Sequence, residues 1–112
     1  MKRIRWRYMV FEIISQEELD IDKNALSEAL IRSIKELWGL RGLMETSARL
    51  VYYDKMMKRG LIRCKHRYLH IVRSSLASIR ELDGVKVIIR VIKVTGTRKR
   101  ALELLRSYSE VA

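Results

Sequence analysis

The stretch VKVIIRVIKVT, residues 85–95, decides the fold, because it is the strongest strand pattern in the chain. Its residues alternate between one uniformly apolar face and one face of mixed character. The apolar face carries Val85, Val87, Ile89 and Val91, and the mixed face carries Lys86, Ile88, Arg90 and Ile92. Gly96 breaks the strand, and Thr97 is suited to cap a last helix over residues 98–108. We therefore expect a well-covered strand followed by a helix.

Upstream of this strand, periodicity and turn residues predict five further elements. They are a strand over residues 4–14, a helix from the Asp22 cap to Trp38, strands over 47–53 and 61–64, and a helix over 66–82. Gly39 is expected to end the first helix, with a loop at residues 41–43. The order βαββαβ with an extra C-terminal helix predicts an α+β fold, a ferredoxin-like or RRM-like α-β sandwich. One domain spans residues 1–112, and helix-containing links favour parallel neighbouring strands.

The charge of the chain is strongly unbalanced, with 24 Lys and Arg against 13 Asp and Glu, a net +11. Nucleic acid is the expected partner, because neutralising phosphates releases counterions. Anionic membrane and acidic protein are weaker alternatives, and we predict no membrane partner. No apolar run is long enough to span a bilayer. Cys64 is the lone cysteine, which indicates a reducing, cytoplasmic setting. Few amides and 33% charged residues favour a thermophilic source.

The sequence contains no recognisable motif of catalytic or metal-binding residues. There is no glycine-rich phosphate loop, and His66 and His70, four apart, lack a third metal ligand. No pair of carboxylates is placed for two-metal chemistry. We predict no catalytic residue, no metal site and no cofactor bound by this chain.

The first of three basic clusters interleaves arginines with aromatic residues at the start of the chain. Its cations are Lys2, Arg3, Arg5 and Arg7, and they are interleaved with Trp6 and Tyr8. Arginine beside aromatic rings suits RNA, because phosphates take the charge and bases stack on rings. Alternatively, Trp6 and Tyr8 fill the core or a partner interface, and the arginines are a solvated strand start.

The second cluster surrounds the link between the two middle strands. It comprises Lys55, Lys58, Arg59, Arg63, Lys65 and Arg67. A solvated face is the plain interpretation. The density of cations with few acids favours phosphate contact, and we predict Lys58, Arg59, Arg63 and Lys65 as RNA ligands.

The third cluster places Arg98, Lys99 and Arg100 in the first turn of the last helix. Cations oppose the helix dipole there, so a bound anion is expected to offset their cost. The same helix carries an apolar side with Leu104, Leu105 and Tyr108. We predict that this side, together with Trp6 and Tyr8, meets the core or a protein partner.

Four ordered stretches resemble the archaeal and eukaryotic ribonuclease P protein family that is called component 2 in archaea. They are RWRY at residues 5–8, Trp38-Gly39 with Gly42, GLIRCKH at 60–66 leading into 72–79, and VTGT at 94–97. One departure is Arg98, which stands where family members tend to have an apolar residue.

The resemblance implies a place in a magnesium-dependent ribonucleoprotein that removes 5′ leaders from precursor tRNA. In this family the RNA performs the cleavage, so Mg²⁺ is expected with the RNA. The subunit is expected to bind and activate ribonuclease P RNA, to meet precursor tRNA indirectly, to pair with component 3 and to self-associate. Two alternatives stay open: a general ferredoxin-like RNA-binding module of another ribonucleoprotein, and a regulatory protein-interaction domain.

Overall fold

A five-stranded antiparallel sheet forms the centre of the molecule in this computed structural model, which describes residues 3–107. The strands are β1 (Trp6–Ser15), β2 (Arg49–Asp54), β3 (Arg59–Lys65), β4 (Glu81–Leu82) and β5 (Val85–Thr95). The helices are α1 (Lys23–Thr46), α2 (Leu69–Ser78) and α3 (Arg98–Ser107), and a 3₁₀ turn, His66–Tyr68, precedes α2. The strand order is β2-β3-β1-β5-β4, which confirms the ferredoxin-like α+β fold.

Strand β1 lies at the centre of the sheet, hydrogen-bonded to β3 on one side and to β5 on the other. Met9 and Phe11 point into a large core under α1 and α2, whereas Val10 points into a smaller core under α3. All three are fully buried. A strand that is apolar on both faces needs cover on both, and the helices on the two sides supply it.

The expectation of parallel neighbouring strands is wrong, because every pairing in the sheet is antiparallel. Strands β1 and β2 do run in the same direction, but β3 lies between them. The split arrangement explains this result: each helical connection skips one strand position before the chain returns to the sheet.

The second helix is shorter than the sequence predicts, ending at Ser78 instead of Leu82. Glu81 and Leu82 form β4, which pairs with the start of β5. Asp83 and Gly84, both with positive φ, make the two-residue connection that this hairpin requires. Leu82 is buried by the pairing, which favours the strand over a continued helix.

Helix α1 begins as predicted, with the Asp22 carboxylate accepting a hydrogen bond from the Ala25 amide at 2.8 Å. Gly39 interrupts the helix with φ 73° and ψ 177°, but helical geometry resumes and continues to Thr46. The loop predicted at residues 41–43 is therefore wrong. Gly42 explains the continuation, because its missing side chain lets the second segment approach Trp38 closely: a Cβ there would lie 2.5 Å from the Trp38 Cβ.

Helix α3 lies on the sheet face opposite α1 and α2, and it packs on β1, β3 and β5. The small core beneath it consists of Val10, Leu61, Ala101 and Leu105. Across residues 3–107, none of the helices combines the length and the apolar character needed to span a membrane. Because α3 covers only part of this face, side chains near the start of β1 remain accessible beside it.

Candidate nucleic-acid interface

Strand register brings three separate parts of the chain to one end of the sheet. Tyr8 lies opposite Arg63 of β3 and opposite Thr95 of β5, and Trp6 lies opposite Lys65. Helix α3 starts just after Thr95. The first and third basic clusters therefore lie together here, with the C-terminal part of the second cluster, Arg63 to Arg67, beside them.

We call this region the basic end and define it as residues 3–8, 49–51, 63–67 and 94–100. These segments contain ten Arg and Lys residues and no Asp or Glu. The basic residues are Arg3, Arg5, Arg7, Arg49, Arg63, Lys65, Arg67, Arg98, Lys99 and Arg100. Arg3, Arg5, Lys65 and Arg67 line a single open cleft beside the 3₁₀ turn.

Acidic residues concentrate at the opposite end of the sheet. Asp20, Asp22, Glu28, Glu81 and Asp83 line one depression there, and Asp20 forms an ion pair with Lys55 of the hairpin. This partner raises the pKa of Lys55. The chain thus carries its excess of positive charge at one end of a body that extends 47 Å in its longest dimension. Such polarity orients an anionic partner towards the basic end.

Trp6 and Arg63 form a stacked pair at the basic end, with the guanidinium carbon 4.2 Å from the ring centroid. This cation–π contact holds the Arg63 side chain on the sheet surface. Tyr8 packs against the small core under α3. Both aromatic rings therefore have contacts within the fold, and their contact with RNA bases or with a protein partner stays a prediction.

The first turn of α3 is capped as the sequence predicts. The Thr97 hydroxyl accepts a hydrogen bond from the Arg100 amide at 3.2 Å. Arg98, Lys99 and Arg100 are exposed, and no acidic residue lies in this turn. Arg100 alone of the three contacts a carboxylate within the helix, Glu103 at 3.4 Å. The site has the charge and backbone geometry that favour an anion.

The second basic cluster is divided by the hairpin. Lys58 and Arg59 lie at the acidic end, whereas Arg63 and Lys65 lie at the basic end. The Lys58 ammonium donates to the Ser15 hydroxyl at 3.3 Å. The Arg59 guanidinium donates to the Leu105 carbonyl at 2.9 Å and lies 3.5 Å from the Glu12 carboxylate.

The geometry therefore gives Arg59 an internal contact that holds the end of α3 on the sheet. Lys58 and Arg59 are remote from the basic end. Their predicted role as RNA ligands stays a prediction, and this geometry does not support it.

The apolar side of α3 packs against the sheet of the same chain. Leu105 is fully buried against β1 and β3, so the contact predicted for a partner is made within the molecule. Leu104 is partly buried at the edge of the same core. Tyr8 and Trp6 lie at the margin of this face, and Tyr108 lies outside the described residues. Leu105 thus meets the core, one of the two surroundings predicted for this side, and the partner interface at Trp6, Tyr8, Leu104 and Tyr108 stays a prediction.

The two histidines have separate surroundings. The His70 ring meets the Trp38 ring edge-on, with centroids 5.8 Å apart, and Trp38 also donates to the Ser74 hydroxyl at 3.3 Å. His66 lines the cleft beside the 3₁₀ turn. Across residues 3–107, the structure brings together no group of three His, Cys, Asp or Glu side chains suited to hold a metal ion.

Arg49 is the residue of the basic end that sequence reasoning missed. It stands alone in the sequence, and only the pairing of β2 with β3 places it opposite Arg63. Its one sequence signal is its position at the start of a strand in a hairpin whose second strand is basic.

Comparison with known proteins agrees with the fold. The family model described as the Rpp14/Pop5 family matches residues 7–106. The chain belongs to the Rpp14/Pop5 family. The family match covers all five strands except the first residue of β1, and it reaches the last turn of α3.

Proteins of archaea and of a yeast are among the relatives of this Rpp14/Pop5 chain. Ribonuclease P protein component 2 of Pyrococcus horikoshii is 35% identical over 94 residues, which cover 84% of this chain and 77% of the relative. The protein of the same name in Archaeoglobus fulgidus is 35% identical over 109 residues, 97% of this chain and 93% of the relative. The ribonuclease P/MRP protein subunit POP5 of Schizosaccharomyces pombe is 29% identical over 115 residues, 90% and 83% of the two chains.

A solved structure shares the architecture of this Rpp14/Pop5 chain. A chain in the cryo-EM structure of yeast ribonuclease MRP superposes with a TM-score of 0.70, covering 95% of this chain and 90% of its own length. Its sequence identity is 18%, so this likeness concerns the fold. The resemblance seen in the four ordered sequence stretches is confirmed by these comparisons.

Proposed function

We propose that this chain is a non-catalytic protein subunit of ribonuclease P that binds the catalytic RNA and activates it for 5′ leader removal from precursor tRNA. The observation that carries the proposal is the basic end, formed in a chain of the Rpp14/Pop5 family. Ten cations without an intervening acid suit a polyanion, because each neutralised phosphate releases counterions. Mg²⁺ belongs with the RNA in this proposal, and precursor tRNA is met through the RNA.

Protein partners are part of the same proposal. Component 3 of ribonuclease P and a second copy of this chain are the proposed partners. Surface apolar residues on α1 around the Gly39 break support a protein contact, because exposed apolar clusters mark interaction sites. They are Leu37, Trp38, Leu40 and Met44, with exposed fractions between 43% and 69%. We further propose a cytoplasmic ribonucleoprotein from a thermophilic archaeon. Composition supports the thermophilic source and the reducing setting, and the family resemblance supports the archaeal source.

Reconstituted cleavage tests the proposed function. Precursor tRNA is incubated with ribonuclease P RNA at limiting Mg²⁺, with component 3 alone and with component 3 plus this protein. We expect cleavage to rise only when this protein is present, because its cations lower the Mg²⁺ needed to fold and engage the RNA. Unchanged cleavage, with RNA still bound in a salt-dependent way, would reject the ribonuclease P assignment.

A general RNA-binding module is the second candidate, favoured by the same charge. Competition between ribonuclease P RNA and unrelated structured RNA of equal length separates the two functions. Equal affinities would support the general module. A regulatory protein-interaction domain instead predicts purification without RNA and behaviour that is insensitive to salt.

A further inference from the structure

A shallow pocket lies at the basic end, between the start of β2, the middle of β3 and the first turn of α3. Its lining residues are Tyr8, Lys23, Arg49, Val51, Arg63 and Arg98. Arg49, Arg63 and Arg98 are cations of the basic end, Lys23 is a fourth cation from the start of α1, and none of the six is an acid. The pocket joins residues from five elements, so it exists only in the folded chain.

Arg49 and Arg63 face each other across β2 and β3. Like charges directly opposite in a sheet repel each other and destabilise the pairing. Arg98 adds a third guanidinium from a helix start, where the dipole also disfavours a cation. None of these three residues has an ion pair with a carboxylate among the salt bridges within residues 3–107. An anion in the pocket would offset the repulsion between Arg49 and Arg63 and the unfavourable position of Arg98 at the helix start, and it would give all three guanidinium groups a partner of opposite charge.

Arg63 provides an independent indication of a ligand. Its guanidinium is fixed on the Trp6 ring, 4.2 Å from the centroid, so its direction is set before anything binds. Its Nε atom is buried and lacks a hydrogen-bond partner within the described part of the chain. Arg63 as a whole is only partly buried and lines the pocket, so the rest of its guanidinium can donate to an oxyanion there.

We infer that this pocket binds one phosphodiester of an RNA backbone, with Arg49, Arg63 and Arg98 as its ligands. The inference rests on the proposed function and names the part of the basic end where a phosphate is held in a defined geometry. Guanidinium groups suit this role, because their planar donors match phosphate oxygens in pairs. The Trp6–Arg63 stack acts as a positioning element, and Trp6 is not required to stack on a base.

Paired charge-removal variants test the pocket. Arg49→Gln with Arg98→Gln removes two of its cations, and Arg32→Gln with Arg80→Gln removes two exposed cations near the acidic end. Both double variants have the same net charge. Affinity for ribonuclease P RNA is measured at several salt concentrations, and urea unfolding verifies that each variant folds.

We expect the pocket variant to bind several-fold more weakly and to reduce the slope of log affinity against log salt by about 0.7 to 0.9, the value for one phosphate. The control variant is expected to keep the wild-type slope. If the two variants behave alike while the wild-type protein binds RNA, the pocket inference is overturned and the proposed function stands. If the wild-type protein fails to bind RNA, the proposed function fails first, and the inference that rests on it fails too.

Inorganic phosphate distinguishes a free anion from an RNA phosphate. In a Trp38→Phe background Trp6 is the sole tryptophan, so its fluorescence reports on the Arg63 stack. We expect RNA to change this signal and Arg49→Gln to weaken the RNA response. The inference would be overturned if Arg49→Gln abolished saturable binding of inorganic phosphate but left the affinity for RNA unchanged. The pocket would then be a site for a free anion.

Discussion

Gly60 lies directly beneath the ring of Phe11, its partner across β1 and β3. A Cβ at this position would lie 2.3 Å from the Phe11 Cζ atom, and the ring is fully buried. The glycine therefore allows an aromatic ring to fill the core beside the backbone, which no larger residue permits.

Gly60→Ala is expected to lower the free energy of unfolding by about 1–3 kcal/mol, because the displaced ring has no free volume to enter. Urea denaturation measures the change. Gly96→Ala is the matched control, since a Cβ there would meet only the Arg7 Nη1 atom at 3.5 Å, an ordinary contact. Equal stability of the two variants would show that the Phe11 ring can move to accommodate the added methyl group, against this prediction.

Cys64 is fully buried in the large core, and this burial raises the pKa of its thiol to about 11. In the unfolded chain the thiol ionises near its ordinary pKa of 9.0. Between these values the unfolded chain binds fewer protons than the folded chain, so stability falls as pH rises. Below pH 9 the thiol is neutral in both states and contributes no pH dependence.

We expect the stability of the wild-type protein to decrease relative to Cys64→Ala between pH 9 and 11, by at most about 1.4 kcal/mol per pH unit. Denaturant unfolding of both proteins from pH 7 to 11 gives the difference, which removes the titration of lysines and tyrosines common to both. Parallel pH profiles would contradict the burial of the thiol.

Helix α3 packs on the sheet through a small core, and the Arg59 guanidinium donates a hydrogen bond to the Leu105 carbonyl near the end of the helix. Leu105 is fully buried, whereas Leu104 remains partly exposed on the neighbouring side of the same helix. Leu→Ala changes helix propensity equally at the two positions, so their difference reports packing.

Leu105→Ala is expected to destabilise the protein by about 2–5 kcal/mol, and Leu104→Ala by clearly less. Chemical denaturation of both variants provides the comparison. If Leu104→Ala were the more damaging change, the orientation of α3 on the sheet would be incorrect.

Arg59 connects the hairpin to the end of α3 through the Leu105 carbonyl, and its side chain lies beside Glu12. Both charged side chains are largely buried, with 13% and 16% exposed. Glu12 also pairs with Arg90, which remains in an Arg59→Gln variant. Arg59→Gln is expected to lower the free energy of unfolding by about 1–3 kcal/mol, because it removes the charged donor to the Leu105 carbonyl and one of the two arginines beside the Glu12 carboxylate. The salt slope of RNA binding is expected to stay unchanged, and a reduced slope would restore Arg59 as a phosphate ligand.

Because charge is separated along the molecule, substitutions at its two ends can distinguish binding at a defined interface from a general electrostatic attraction to RNA. Arg98, Lys99 and Arg100 lie at the basic end, and exposed cations of equal number lie towards the acidic end. The latter are Arg32, Arg80 and Lys86. A uniform field would make the two sets equivalent, whereas a defined interface makes only the first important.

Substitution of the three basic-end residues by Ala is expected to weaken RNA binding and to reduce the salt slope by about 0.7 to 0.9 for each phosphate that the variant no longer neutralises. The same substitutions at Arg32, Arg80 and Lys86 are expected to leave the slope near the wild-type value. Filter binding or fluorescence anisotropy across a salt series supplies both numbers. Equal decreases in the two variants would remove the α3 start from the interface.

Local signals in the sequence were sufficient for the three helices, for four of the five strands of the described chain, for the Asp22 and Thr97 caps and for the ferredoxin-like fold. Each of these depends on residues a few positions apart, so neighbours along the chain carry the information. The excess of positive charge and the arginines of the first and third clusters were likewise evident, because they are contiguous in the sequence.

Long-range packing decided the remaining features. The pairing of Arg49 with Arg63, the contact of Arg59 with Leu105 and the hairpin at Asp83 depend on strand register and on which face α3 covers. The continuation of α1 past Gly39 depends on the close approach of Gly42 to Trp38. Sequence periodicity shows that a residue has a buried side, but the contacts that bury it come from distant segments and follow from the free energy of the whole packed chain.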